Sequence, residues 1–256
     1  MGVAEDRISA GCGWVMGLSV EGLFPLALGR VQLALDPLDL ALLMQAVLEL
    51  RGDADGNPLE GCAWTGDING IWQLHRLAPF SGVTEQLRRH SWSYLQQLGF
   101  DTARLALHIQ RAWPVVSGPG QVVGRHHHPN AHLSAILYLN GDGSGRSGCL
   151  RLYPPRAMNE LVPGLAVGHG GPLRTDDAAA QRWNAPWVDV APRAGLLVLF
   201  PAGTDHAVTP NEDPEELRLS LAFDLVLSAP PAGPQDPAPP EYLAPHPSQW
   251  TPLEPG

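Results

Sequence analysis

The chain has 256 residues, 44% of them hydrophobic and only 16% charged, with a formal net charge of −10. That length buries a core in one large domain or two small ones. The acidic balance, with no basic stripe, excludes a chain built mainly to hold nucleic acid. All 16 basic residues are arginines, so no lysine is available for a Schiff base or a phosphate-binding loop.

The first seven residues carry Glu5 and Asp6 where a signal peptide would be positive, and glycines at 11, 13, 17, 22 and 29 break the stretch that follows. No later run approaches the length of a membrane span. Cys12, Cys62 and Cys149 are widely spaced, odd in number and free of any CxxC pattern, which predicts reduced thiols. These features predict a soluble cytoplasmic protein with no membrane partner.

In chain order, "LFPLALGRVQLAL" (23–35) suggests an opening strand. "DPLDLALLMQAVLEL" (36–50) has Asp36 as N-cap, Pro37 at the first helical position and leucines at helical spacing. A polar loop at 51–61 leads on towards "PFSGVTEQLRRHSWSYLQQLGF" (79–100), an amphipathic helix stopped by Gly99. The first hundred residues are therefore expected to be mostly helical. The period then shortens. "ARLALHIQRAW" (103–113), "GQVVGRHHH" (120–128), "LSAILYLN" (133–140), "CLRLYP" (149–154), "WVDVAP" (187–192), "GLLVLFP" (195–201) and "LRLSLAFDLVL" (217–227) predict about seven strands separated by Gly/Pro turns. Such a series suggests a sandwich or rolled-up barrel. The expected organisation is a single domain over 1–228, helical at 1–102 and β at 103–228, followed by a proline-rich tail at 229–256. The connection 155–186 has no strong period and is long enough to be a lid over a site.

"GRHHHPNAHLSAILYLN" (124–140) crowds four histidines into seven residues ahead of an apolar run. On a strand, residues two apart share a face, so His126 and His128 point one way and His127 the other. His206, in "FPAGTDHAV" after the apolar strand 195–200, offers a third ring. Imidazoles with open positions suit Fe, Cu, Zn, Ni or Mn. Taken singly, His75, His90, His108, His127, His132, His169 and His246 need no functional reading. "RLSLAF" (218–223) places Arg218 and Ser220 on one face. An arginine turned into a barrel interior is costly unless it meets an anion, and its fork fits a carboxylate. Tyr138 could donate to the same anion. A surface bridge from Arg218 to Glu215 or Glu216 and a core tyrosine are the alternatives.

With His126-x-His128, Tyr138, His206 and Arg218-x-Ser220 in this order, the chain resembles the Fe(II)/2-oxoglutarate-dependent oxygenases. It is most similar to a bacterial and phage group with an H-x-H-P motif, here Trp113 followed by "HHHPNAHLSAILYL". "RHHHPN…ILYLN…GCLRLYP" also looks like the core of the prolyl hydroxylases. The likeness follows the order of elements over about 20–227, with specific motifs only in 105–225. It implies a double-stranded β-helix (a jelly roll, cupin-like) buttressed by the N-terminal helices. By the same resemblance, His126 and His206 would be iron ligands and His128 would stand where the family usually has a carboxylate. Arg218 would grip the distal carboxylate of 2-oxoglutarate, assisted by Ser220 and Tyr138. The implied reaction is a dioxygenase one. It uses Fe(II), O2 and 2-oxoglutarate, releases succinate and CO2, and hydroxylates an amino-acid, peptide or small-molecule C–H bond.

Two other readings compete. "GQVVGRHHHPNAH" and "GLLVLFPAGTDHAVT" also resemble the two cupin motifs, with His132 in place of the glutamate, which implies the same barrel and a three-histidine metal cupin independent of 2-oxoglutarate. A catalytically silent barrel would instead leave Arg218 exposed and the histidines apart. A register with His128 and Asn130 as ligands, or a carboxylate from Asp205, is a weaker variant. Substrate identity and oligomeric state have no signal in the sequence.

Overall fold

The computed structural model describes residues 26–52, 59–155, 185–233 and 243–253. Among them, ten strands form two antiparallel sheets. The strands are β1 (Gly29–Gln32), β2 (Trp64–Thr65), β3 (Ala106–Ser117), β4 (Val123–His126), β5 (Leu133–Tyr138), β6 (Leu150–Leu152), β7 (Val188–Val190), β8 (Leu196–Pro201), β9 (His206–Val208) and β10 (Arg218–Ser228). The larger sheet runs β1-β8-β5-β10-β3-β2 and the smaller β4-β9-β6-β7. This is the rolled-up barrel that the strand spacing predicts, in the form of the jelly roll, or double-stranded β-helix, that the family likeness implies.

Two helices, α1 (Pro37–Arg51) and α2 (Ser81–Gln97), cover the outer face of the larger sheet. Asp36 caps α1 by accepting from the Leu38 N–H at 2.8 Å, with Pro37 following it, as the sequence predicts. The described residues before 100 are less purely helical than expected. β1 pairs with β8, and β2 pairs with β3. A two-residue strand is too short to show a period, and β1 sits in a stretch where apolar and turn residues alternate irregularly.

β10 reads as almost continuously apolar because both its faces are covered. Leu219, Leu221, Phe223, Leu225 and Leu227 pack into the helix-facing core with Leu133, Ala135, Leu137, Leu197 and Leu199. The alternate residues face the smaller sheet. Across β3, β10, β5 and β8 the registers form rungs on this inner face: Arg111–Asp224–Ser134–Phe200, then Trp113–Ala222–Ile136–Val198, then Val115–Ser220–Tyr138, then Ser117–Arg218. Tyr138, Val198 and Phe200 meet Leu150, Leu152 and Val190 from the smaller sheet. Trp113, Val115 and Ala222 form a separate apolar group with Ala63. The unfilled space left between the sheets is the pocket described next.

Residues 156–184 of the expected lid lie outside the described residues, as do Cys12, residues 234–242 and 254–256 of the tail, and 53–58 of the polar loop. No described helix is long and apolar enough to cross a membrane.

Candidate active site

A cavity of about 510 Å³ opens between the sheets, within the ordinary size of a small-molecule site. His126, His128, Tyr138, His206, Arg218 and Ser220 all line it.

The three histidines converge. Their ligand atoms lie within 4.8 Å of one another, a group that could hold one metal ion. Ring centroids are 4.3 Å apart for His126 and His206, 5.1 Å for His126 and His128, and 5.0 Å for His128 and His206. β4 and β9 bring two of the rings together, since His126 pairs directly with His206. The third arrives differently from the alternation argument. β4 ends at His126, and His128 lies in the turn beyond it, fixed by its backbone N–H donating to Ala202 at 2.9 Å. His127 points away and contacts Asp205 at 3.1 Å.

In each ring Nδ1 is already engaged. That of His126 meets the Gly124 carbonyl at 2.7 Å, and that of His206 meets the Thr204 carbonyl at 2.9 Å. That of His128 meets Asp224 Oδ1 at 2.5 Å. A carbonyl or carboxylate only accepts, so each Nδ1 carries a proton and Nε2 is the nitrogen left to face a metal. Three imidazoles whose Nδ1 atoms are turned to acceptors, leaving Nε2 to meet an ion, are a donor set suited to a transition metal.

Burial reinforces this. His206 has its pKa pushed down to about 3, first by burial and then by the neighbouring His126. His126 is also lowered, again chiefly by burial. Between the ordinary value of 6.5 and about 3, the unfolded chain binds a proton at His206 that the folded chain does not. Stability therefore rises with pH across that window and falls as pH drops through 6.5. The melting temperature of metal-free protein is expected to decline from pH 7.5 to pH 5, and His206→Gln to flatten that decline. A wild-type profile as flat as the variant's would show that burial does not hold this ring neutral.

The other end of the pocket is built for an anion. Arg218 is 1% exposed, and Nε, Nη1 and Nη2 have no hydrogen-bond partner among the described residues. Gly148 packs beside it: at φ +89°, a Cβ there would lie 2.4 Å from the Thr209 carbonyl oxygen and 3.2 Å from Nη1. A guanidinium stays charged in proteins, so this is a buried cation with open donors. Tyr138, 2% exposed, has its phenol pushed up to about 12, first by burial, with Arg218 acting in the opposite sense. It therefore remains a donor at any working pH. Ser220 sits on the rung beside it. The surface reading of Arg218 is thereby overturned.

The remaining variants resolve on geometry. His132 accepts the Leu227 N–H at Nδ1, 3.0 Å, and does not join the three rings, so the fourth cupin position is absent from the cluster. Asn130 is exposed, and Asp205 is held by Arg125 and His127 and does not line the pocket. The converging rings and the buried Arg218 are both contrary to a silent barrel.

Three further residues at the site were given no role by the sequence reading. Asp224 is fully buried and binds His128. Ser134 Oγ lies 3.1 Å from the same His128 nitrogen. Arg111 holds Asp224 Oδ2 through Nη2 at 2.5 Å and Nε at 3.0 Å, and reaches within 3.6 Å of Asp67 at the pocket mouth. An aspartate inside the apolar run "SLAFDLVL" was the available signal, because a carboxylate there must have a partner.

The jelly roll thus brings three converging histidines and a buried arginine with no partner among the described residues into one pocket. Residues 111–224 match the family model described as "Putative 2OG-Fe(II) oxygenase", and all six of the site residues lie within that segment. That family's iron and 2-oxoglutarate fit the histidine donors and the orphaned guanidinium respectively. No curated protein matches the chain. Among solved structures, the fold is similar to that of the non-heme alpha ketoglutarate dependent epimerase SnoN from nogalamycin biosynthesis. The TM-score is 0.52 at 18% identity, over 86% of this chain and 91% of that one. The carbocyclase SnoK from the same biosynthesis gives a TM-score of 0.52 at 16% identity, over 80% and 82%. A Pseudomonas putida prolyl-4-hydroxylase gives 0.47 at 19%, over 78% and 92%.

Proposed function

We propose that this protein is an Fe(II)- and 2-oxoglutarate-dependent oxygenase that hydroxylates a C–H bond of an amino acid, peptide or small molecule. The observation that carries the reading is Arg218, a buried, unpaired cation sharing one pocket with three converging imidazoles. His126, His128 and His206 would hold iron through Nε2. Arg218 would bind the distal carboxylate of 2-oxoglutarate, with the hydroxyls of Ser220 and Tyr138 adding donors. All three are donors and none brings negative charge, which is the pattern an anion requires.

When bound, Fe(II) with 2-oxoglutarate and O2 supplies the oxidising power, and succinate and CO2 are the by-products. The chain's own part is to orient and to keep dry. Phe200, Ile136, Trp113 and Val208 give the pocket apolar walls that limit water around the reacting groups. Asp67, Arg111, Arg125 and His127 make the outer lining polar and of mixed charge. That lining suits a small polar substrate and offers no track for nucleic acid.

The metal cupin reading supplies no reason for Arg218. The two readings separate in one assay. Fe(II)-loaded protein exposed to air is expected to release succinate only when 2-oxoglutarate is present. Metal binding without any succinate, over a wide range of 2-oxoglutarate, would favour the cupin. With a substrate in hand, 18O2 incorporation into product distinguishes hydroxylation from the outcomes named for SnoN and SnoK.

A further inference from the structure

Asp224 interrupts the apolar run of β10 and is 0% exposed. It is held from two sides. Its Oδ1 meets His128 Nδ1 at 2.5 Å, and its Oδ2 accepts both Nη2 and Nε of Arg111. Arg111 is fixed in turn. It lies 5.0 Å over the Trp113 ring and 3.6 Å from Asp67. A register shift between Asp224 and Leu225 leaves Gln110 as the extra residue in β3, since Asp224 pairs with Arg111 and Leu225 with Ile109. This bulge lets Arg111 keep its place on the inner face beside Asp224 while the pairing beyond it resumes.

We propose that Asp224 is a positioning residue which, acting through His128, fixes the ring in the Nδ1–H form, and that Arg111 fixes the orientation of Asp224. The inference rests on the metal-site reading above and deepens it. His128 is a neutral ligand in a place where the family's usual pattern has a carboxylate. A carboxylate that accepts from the far nitrogen makes Nε2 more basic and brings a negative charge next to the ligand shell. Ser134 Oγ, 3.1 Å from the same nitrogen, is a neutral hydroxyl that can turn to suit either tautomer, so it does not choose between them.

Arg111 makes the arrangement testable, because its two nitrogens only donate. An asparagine at 224 must point its carbonyl oxygen at them and so present its NH2 to His128. Nδ1 then has to accept, the ring proton moves to Nε2, and the lone pair that would face the metal is lost. Asp224→Asn is nearly isosteric, so this inversion is expected without unfolding. In wild-type apoprotein, 15N NMR of labelled histidine should find His128 protonated at Nδ1 and bare at Nε2. In Asp224→Asn the two nitrogens should exchange roles, and Co(II) or Mn(II) affinity should fall about 10- to 100-fold. Arg111→Met combined with Asp224→Asn leaves the amide free to turn its oxygen to His128. The double variant should regain the Nδ1–H form and bind metal more tightly than Asp224→Asn alone. A merely structural role predicts no such rescue. The proposal is overturned if His128 keeps its tautomer in Asp224→Asn, or if the double variant binds no better than the single. Absence of metal binding by the wild type would instead count against the metal-site reading, while the tautomer measurement on apoprotein still judges this inference.

Discussion

Arg218→Met is expected to abolish useful binding of 2-oxoglutarate while leaving metal content intact and the metal-free protein at least as stable. The two effects share one cause. Arg218 is a charge taken out of water with no partner among the described residues, an arrangement that costs several kcal/mol even after relaxation. Replacing buried ions with apolar groups of similar volume is often neutral or stabilising, by about 1–4 kcal/mol. The apoprotein's melting temperature should therefore hold or rise. For the co-substrate the same replacement removes a desolvated charge partner, a loss of roughly 2–5 kcal/mol. In apparent KM that is about thirty- to several-thousandfold, at about tenfold per 1.4 kcal/mol. The rise in melting temperature that 2-oxoglutarate confers on metal-loaded wild type should disappear with it. An Arg218→Met protein that melts well below wild type, or that binds 2-oxoglutarate normally, would mean the guanidinium has a structural partner instead.

Arg218 also shows what kind of residue a sequence reveals. Polar residues at 218 and 220 in an otherwise apolar strand share a face by the two-residue period, and the registers bear that alternation out. Asp224 obeys the same period and was equally visible. It stood apart because the likeness that gave meaning to Arg218 and Ser220 has no role at that place. The partnership of Asp224 with Arg111 depends on a bulge, and with His128 on a turn, and neither leaves a periodic trace. His128 itself illustrates a correct pairing reached by an incomplete route. Alternation along a strand suggested that it shares a face with His126, yet the strand ends at His126 and the turn pinned to Ala202 does the placing. The helices were legible from caps and spacing. β9 was not, because three residues carry too little pattern to register.

The sharpest contrast lies between two histidines that look alike in the chain. His206→Ala is expected to lower metal affinity by more than the roughly 10–100-fold that loss of an outer-shell partner alone produces. His127→Ala should leave metal content unchanged. His206 is 3% exposed, donates from Nδ1 to Thr204, and lies 5.1 Å from Phe200 and within 5.0 Å of both other rings. Without it, two imidazoles face a half-apolar cavity that offers no other described ligand at that position. His127, between His126 and His128, is half-exposed and engages Asp205 across the strand pair, beside Arg125 stacked on Tyr153. Its loss removes only a solvent-exposed contact with Asp205. Metal titration of the two apoproteins decides the matter without any substrate. Equal affinities would mean that the rings meeting in the pocket do not bind the ion, and the division of "HHH" into ligand, surface residue and ligand would fail with them.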